Sequence, residues 1–123
     1  MFELTIKDTV YSFKFGMGFM REINRKHTTE IDGWKNVEQN VGLQYYVANV
    51  IDGDCEALIE ILDCANKGQD PRVTRKLLDE YIDTCEDIDG LFDEVVGFLK
   101  SANATKKVTT KFLKVAEEQA AKK

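Results

Sequence analysis

The chain is poor in the residues from which metal and catalytic sites are built. It has one histidine among 123 residues. His27 lies in "RKHTTE" at an expected helix end, where a cation is favourable. Without a second histidine, a cysteine pair or an acid partner it supports neither a metal nor a catalytic site. Cys55, Cys64 and Cys85 are odd in number and form no CxxC pair, which points away from a disulfide framework. They read as reduced thiols in a cytosolic setting, serving as small half-buried hydrophobes. No stretch approaches the ~20 apolar residues of a membrane span. "MFELTIKDTV" alternates and carries acids, unlike a signal peptide. "GMGF" is not the GxGxxG of a phosphate cradle, and it follows a hairpin rather than a parallel strand. No internal repeat and no low-complexity linker breaks the chain. The residues expected are therefore catalytic: none; cofactor-binding: none; metal: none, and the protein is expected not to be an enzyme.

Charge and apolar pattern are what the sequence does have. Apolar residues make up 43 % and charged residues 32 %, the profile of a soluble globular protein, and the length favours one domain with an adequate core. The net charge of −5 conceals a split. Residues 52–99 hold fourteen acids and four bases, and residues 100–123 hold seven lysines and two glutamates. An acidic body thus carries a basic tail.

"FELTIKDTVYSFKF" alternates, with Phe2, Leu4 and Ile6 on one face and Tyr11, Phe13 and Phe15 resuming after "KD". The pattern predicts a β-hairpin. Phe19, Met20 and Ile23 then predict a helix to about Arg25, and "HTTEIDGW" a loop. A broad apolar face predicts a second helix over Asn36–Ile51. Asp54 is placed to cap a third, with its stripe of Ala57, Leu58, Ile61, Leu62 and Ala65, and Gly68 suits the position after its end. Asp70–Pro71 reads as the start of a fourth helix carrying Val73, Leu77, Leu78, Tyr81 and Ile82. A fifth carries Ile88, Leu91, Phe92, Val95, Val96 and Leu99 and ends near Asn103. The last helix has a thinner stripe of Val108, Phe112 and Val115. The expected fold is mainly α with an N-terminal β-hairpin (α+β), about six helices, the last semi-detached. Residues 1–102 form the hairpin and helical body. Residues 103–123 form a basic amphipathic C-terminal helix that is not a separate domain.

"CEDIDGLFDE" at residues 85–94 resembles part of a calcium loop. With Gly90 at loop position 6, Asp87 and Asp89 fall at positions 3 and 5, but Cys85 falls at position 1 and Val96 at position 12. Both ends of the cage are lost, including the bidentate glutamate. Asp87 is better read as the cap of the fifth helix, with acids following where its dipole favours them. Lys106, Lys107, Lys111 and Lys114 surround Phe112 and raise an alternative function, a small regulatory protein binding nucleic acid through its C-terminal helix. The tail lacks arginine, the usual base reader, and the acidic body repels phosphate.

"MFELTIKDTVYSFKFGMGFMREIN" resembles the start of tail assembly chaperones of long-tailed (siphovirus-type) phages and prophages of Gram-positive bacteria. The likeness continues through "NVGLQYYVANVIDGDCEALIEILDCANKG", "PRVTRKLLDEYID" and "EDIDGLFDEVVGFLKSANATKK". It implies a chaperone that binds and keeps soluble the tape measure protein before tail-tube polymerisation. It also implies a place in the cytoplasm of the bacterial host, absence from the mature virion and self-association. A frameshifted longer form would recruit the tail-tube protein. No membrane or cofactor is implied. No family functional residue transfers as a motif, so the partner-binding candidates come from the last helix: Val108, Lys111, Phe112 and Val115.

Overall fold

The computed structural model describes residues 2–30 and 38–121. β1 (Phe2–Ile6) and β2 (Thr9–Phe13) form the antiparallel hairpin, in register from Phe2↔Phe13 to Ile6↔Thr9. Phe2, Leu4, Ile6, Tyr11 and Phe13 are buried, as the alternation predicts. Lys7 and Asp8 close the turn with φ of 49° and 65°. Both signs are those of a type I′ turn, which matches the strand twist but disfavours side chains. Asp8→Gly is therefore expected to stabilise the protein by about 0.5–1 kcal/mol, a rise in Tm of about 2–5 °C in a thermal melt. Lys7 is better left in place, because its Nζ meets Glu80 at 2.8 Å.

Six helices follow among the described residues: α1 (Met17–Asn24), α2 (Gly42–Ile51), α3 (Cys55–Asn66), α4 (Arg75–Asp83), α5 (Ile88–Ser101) and α6 (Lys106–Ala121). α3 is the core element. Ala57, Leu58, Ile61, Leu62 and Ala65 are all buried, and its faces meet α1, α2, α4 and β2. Asp54 caps it by accepting from the Glu56 N–H at 2.9 Å. Gly68, with φ of 83°, follows its end. Lys14 N–H donates to the Ala65 carbonyl at 2.8 Å and ties the hairpin to this helix.

The structure corrects the expected loop over "HTTEIDGW". Thr28–Glu30 form a short strand, β3, paired antiparallel with β4 (Glu38–Asn40). Ile31–Trp34 of that stretch lie outside the described residues, as do Asn36 and Val37 at the expected start of the second helix. That helix begins instead at Gly42, because Glu38–Asn40 are committed to the ladder. Val41 supplies no side-chain cap. Asn24, at the end of α1, accepts from Leu43 N–H at 3.2 Å and fills the role from outside the helix.

The start of α4 also differs. The Asp70–Pro71 peptide is cis, and the helix starts at Arg75 behind a Thr74 cap that accepts from Leu77 N–H at 3.2 Å. The reason lies in Asn66, whose side chain is completely buried. Its Nδ2 donates to the Ser12 and Pro71 carbonyls at 2.9 and 3.3 Å. Its Oδ1 accepts from Val73 N–H at 2.7 Å and Arg72 at 2.8 Å. These bonds hold residues 71–73 as a loop wrapped round one amide, which outweighs the local start signal at Asp70.

α5 and α6 meet at a corner fixed by two buried threonines. Thr105 Oγ1 donates to the Leu99 carbonyl, and Thr109 Oγ1 donates to the Thr105 carbonyl at 2.9 Å. α6 then lies on α2 and α5, with Val108 and Phe112 partly buried against the core. From Glu117 to Ala120 it is exposed, so only its first half is anchored.

Candidate functional site

The described residues contain no cluster of His, Cys, Asp and Glu arranged to hold a metal. The DxDG fragment is a helix start: Asp87 Oδ1 accepts from Gly90 N–H at 3.0 Å. A Cβ on Gly90 would lie 2.3 Å from that carboxylate, so the glycine permits the close cap. Burial pushes the Cys64 thiol up to about 11, against the pull of Lys26 and Lys67. It is therefore a poor nucleophile at neutral pH. His27 stacks its ring on Tyr45 with centroids 4.0 Å apart.

The main ionic cluster is a brace between helices. Glu60 of α3 bonds Arg75 of α4 and lies 3.0 Å from Lys26. Asp63 takes Arg72 at 2.8 Å. Burial opposes ionisation of Glu60, yet Arg75 and Lys26 together hold its pKa below the ordinary carboxylate range. An acid so firmly paired is suited to joining elements rather than to moving protons.

The surface carries an aromatic groove. Phe2 and Phe13 from the hairpin, Phe15 after it and Phe98 from α5 line a groove of about 380 Å³, with Lys14, Gly16, Ser101 and Ala102 at its margins. Phe98 stands edge-on to Phe2, centroids 5.2 Å apart, and 6.2 Å from Phe15. Phe2, Phe13 and Phe15 are buried, whereas Phe98 is 36 % exposed. The groove thus has a rigid aromatic floor and one ring open to contact, an arrangement suited to an apolar side chain of a partner. Its one sequence signal was the seven-residue step from Leu91 to Phe98, which puts Phe98 at the edge of the α5 stripe.

The four candidates on α6 divide between two directions. Val108 and Phe112 turn partly into the core. Lys111 is exposed, with its Nζ 5.6 Å from the centroid of the Phe112 ring. Val115 is 39 % exposed. No helix among the described residues is long and apolar enough to cross a membrane.

Comparison with known proteins adds one finding. Residues 3–114 match the family described as "Phage tail assembly chaperone protein, TAC". No curated protein and no solved structure matches the chain.

Proposed function

We propose that this chain, which belongs to the phage tail assembly chaperone family, binds the tape measure protein and keeps it soluble before the tail tube polymerises around it. The family match over residues 3–114 carries the reading. The groove around Phe98 supplies a surface for it. A long helical client presents apolar side chains at i, i+3 and i+4 spacing, and such anchors dock in apolar grooves. Lys111 and Val115 on the outward side of α6 offer a second contact, to which Val108 and Phe112 contribute from its edge. The work belongs in the cytoplasm of the bacterial host, Gram-positive in the reading drawn from the sequence, and the protein leaves before the virion is complete. A longer form extending the chain would bring in the tail-tube protein. The mechanism is reversible cover of apolar surface, with no chemical step.

Co-expression with the tape measure protein of the same phage or prophage tests this. The expected result is a soluble client that co-elutes with the chaperone at both low and high salt, since apolar contacts respond little to ionic strength. Phe98→Glu is expected to weaken capture at least about tenfold, on the scale of losing a central aromatic anchor. Its helical circular dichroism should be kept, because the ring is partly exposed. An insoluble client that never co-elutes would overturn the reading. Capture unaffected by Phe98→Glu would move the contact away from the groove.

A further inference from the structure

Charge sorts the clefts among the described residues by sign. The aromatic groove has Lys14 at its margin and no acid. A shallow cleft on α6 is lined by Lys100 of α5, by Lys106, Lys107, Lys111 and Lys114, and by Thr110 and Val115. By contrast, Asp52, Asp89 and Asp93 flank the groove beside Phe92 and Val96. Glu86, Asp87 and Glu94 flank a cleft at the start of α5. The exposed apolar side chains follow the same division. Phe98 and Val115 open into the lysine-bordered clefts, whereas Phe92 and Val96 are half-buried.

α6 orders its cations. Val108, Thr109 and Phe112 pack on the domain. Lys107, Lys111 and Lys114 fall at i, i+4 and i+7, so they form one row about 10 Å long on the opposite side. Val115 stands beside that row. All five lysines of the cleft are exposed, and among the described residues none makes an ion pair. Glu117 and Glu118, the acids of α6, are not part of its lining.

We propose that the lysine row of α6 holds an acidic amphipathic helix of the client, with carboxylates on the lysines and an apolar side chain on Val115. The proposal rests on the client reading and adds the chemistry that selects the segment. Charge complementarity fixes this occupant. A helix laid along α6 repeats its spacing, so acids at i, i+4 and i+7 meet the row in step. A basic segment is repelled by the same five cations. Nucleic acid suits the cleft less well. The row is flanked by an apolar residue, and residues 52–99, with fourteen acids against four bases, repel a phosphate backbone.

An array of overlapping peptides covering the tape measure protein of the same phage or prophage tests it. The array is probed with the wild-type chain and with Lys111→Glu combined with Lys114→Glu. At low salt, the peptides held most strongly by wild type are expected to carry Asp or Glu at i, i+4 and i+7 beside an apolar stripe. The charge-reversed variant should keep its helical circular dichroism and hold these peptides at least about tenfold more weakly. Their retention by wild type should also fall as salt rises, while the whole client, held as well by the Phe98 groove, keeps co-eluting. Strongest retention of basic or uncharged peptides overturns the proposal. So does an array that retains nothing, or acidic peptides that the charge-reversed variant holds equally well. Tighter binding of a mixed-sequence DNA duplex than of any peptide would overturn it too, and assign the row to nucleic acid. A client that co-elutes with wild type while the array shows no acidic preference defeats this inference alone; a client that never co-elutes removes the reading beneath it.

Discussion

Gly42→Ala is expected to cost at least about 3 kcal/mol, enough to unfold a large share of the molecules in a marginally stable domain. A Cβ at position 42 would lie 1.8 Å from the Ile23 carbonyl oxygen, 2.7 Å from its carbon and 2.9 Å from Asn24 Cα. All three are backbone atoms, so no side chain can swing aside. The helices α1 and α2 must part, and parting them breaks the Asn24 cap on Leu43 N–H. The internal control is Gly97→Ala. Gly97 is exposed in α5 and an added Cβ there meets nothing within 4 Å, so the same chemical change should stabilise by about 0.5–1 kcal/mol through helix propensity. Urea denaturation of the two variants should therefore move the midpoint in opposite directions. A Gly42→Ala midpoint within error of wild type would mean that α1 and α2 do not pack this closely.

Asn66→Ala is expected to lose about 3–5 kcal/mol. Its side chain makes four hydrogen bonds within one buried site. Truncation strands the buried Val73 N–H and removes the donor shared by the Ser12 and Pro71 carbonyls. Each stranded group costs about 1–3 kcal/mol. The loss should appear as a lower urea midpoint with little change in slope, the mark of altered stability rather than altered compactness. An Asn66→Ala midpoint within error of wild type would mean that water replaces the amide.

The sequence was readable where one local pattern governed the structure. The hairpin alternates at period two, the α3 stripe buries as expected, and so do Leu91, Val95 and Leu99 of α5, while Ile88, Phe92 and Val96 are partly buried. Asp54 and Asp87 cap the helices that their positions announced. Phage tail assembly chaperone membership, stated from collinear likeness, agrees with the family match. What escaped the reading depends on residues distant in the chain. β3 and β4 are polar triplets, TTE and EQN, with no hydrophobic alternation to reveal them. The start of α2 is set by the β3–β4 ladder, which takes Glu38–Asn40, and by the Asn24 side chain, which caps Leu43 N–H from nineteen positions earlier. The start of α4 is set by an amide whose other partner is Ser12. The Phe98 groove draws on the hairpin, the segment after it and α5, so no stretch of sequence contains it. The α6 candidates rested on a helical stripe, and a stripe does not say which half of itself will turn inward.

The pairing of Phe2 with Phe13 makes the Phe98 groove depend on the register of the hairpin. A slip of one residue in the hairpin would turn one strand's apolar set to the opposite face from its partner's and dissolve the floor on which Phe98 stands. Only copies whose strands have closed in the native register possess the groove. In the function proposed above, a chain caught half-folded, with its own apolar faces exposed, therefore has no groove to offer a client, and client capture reports that the hairpin has closed.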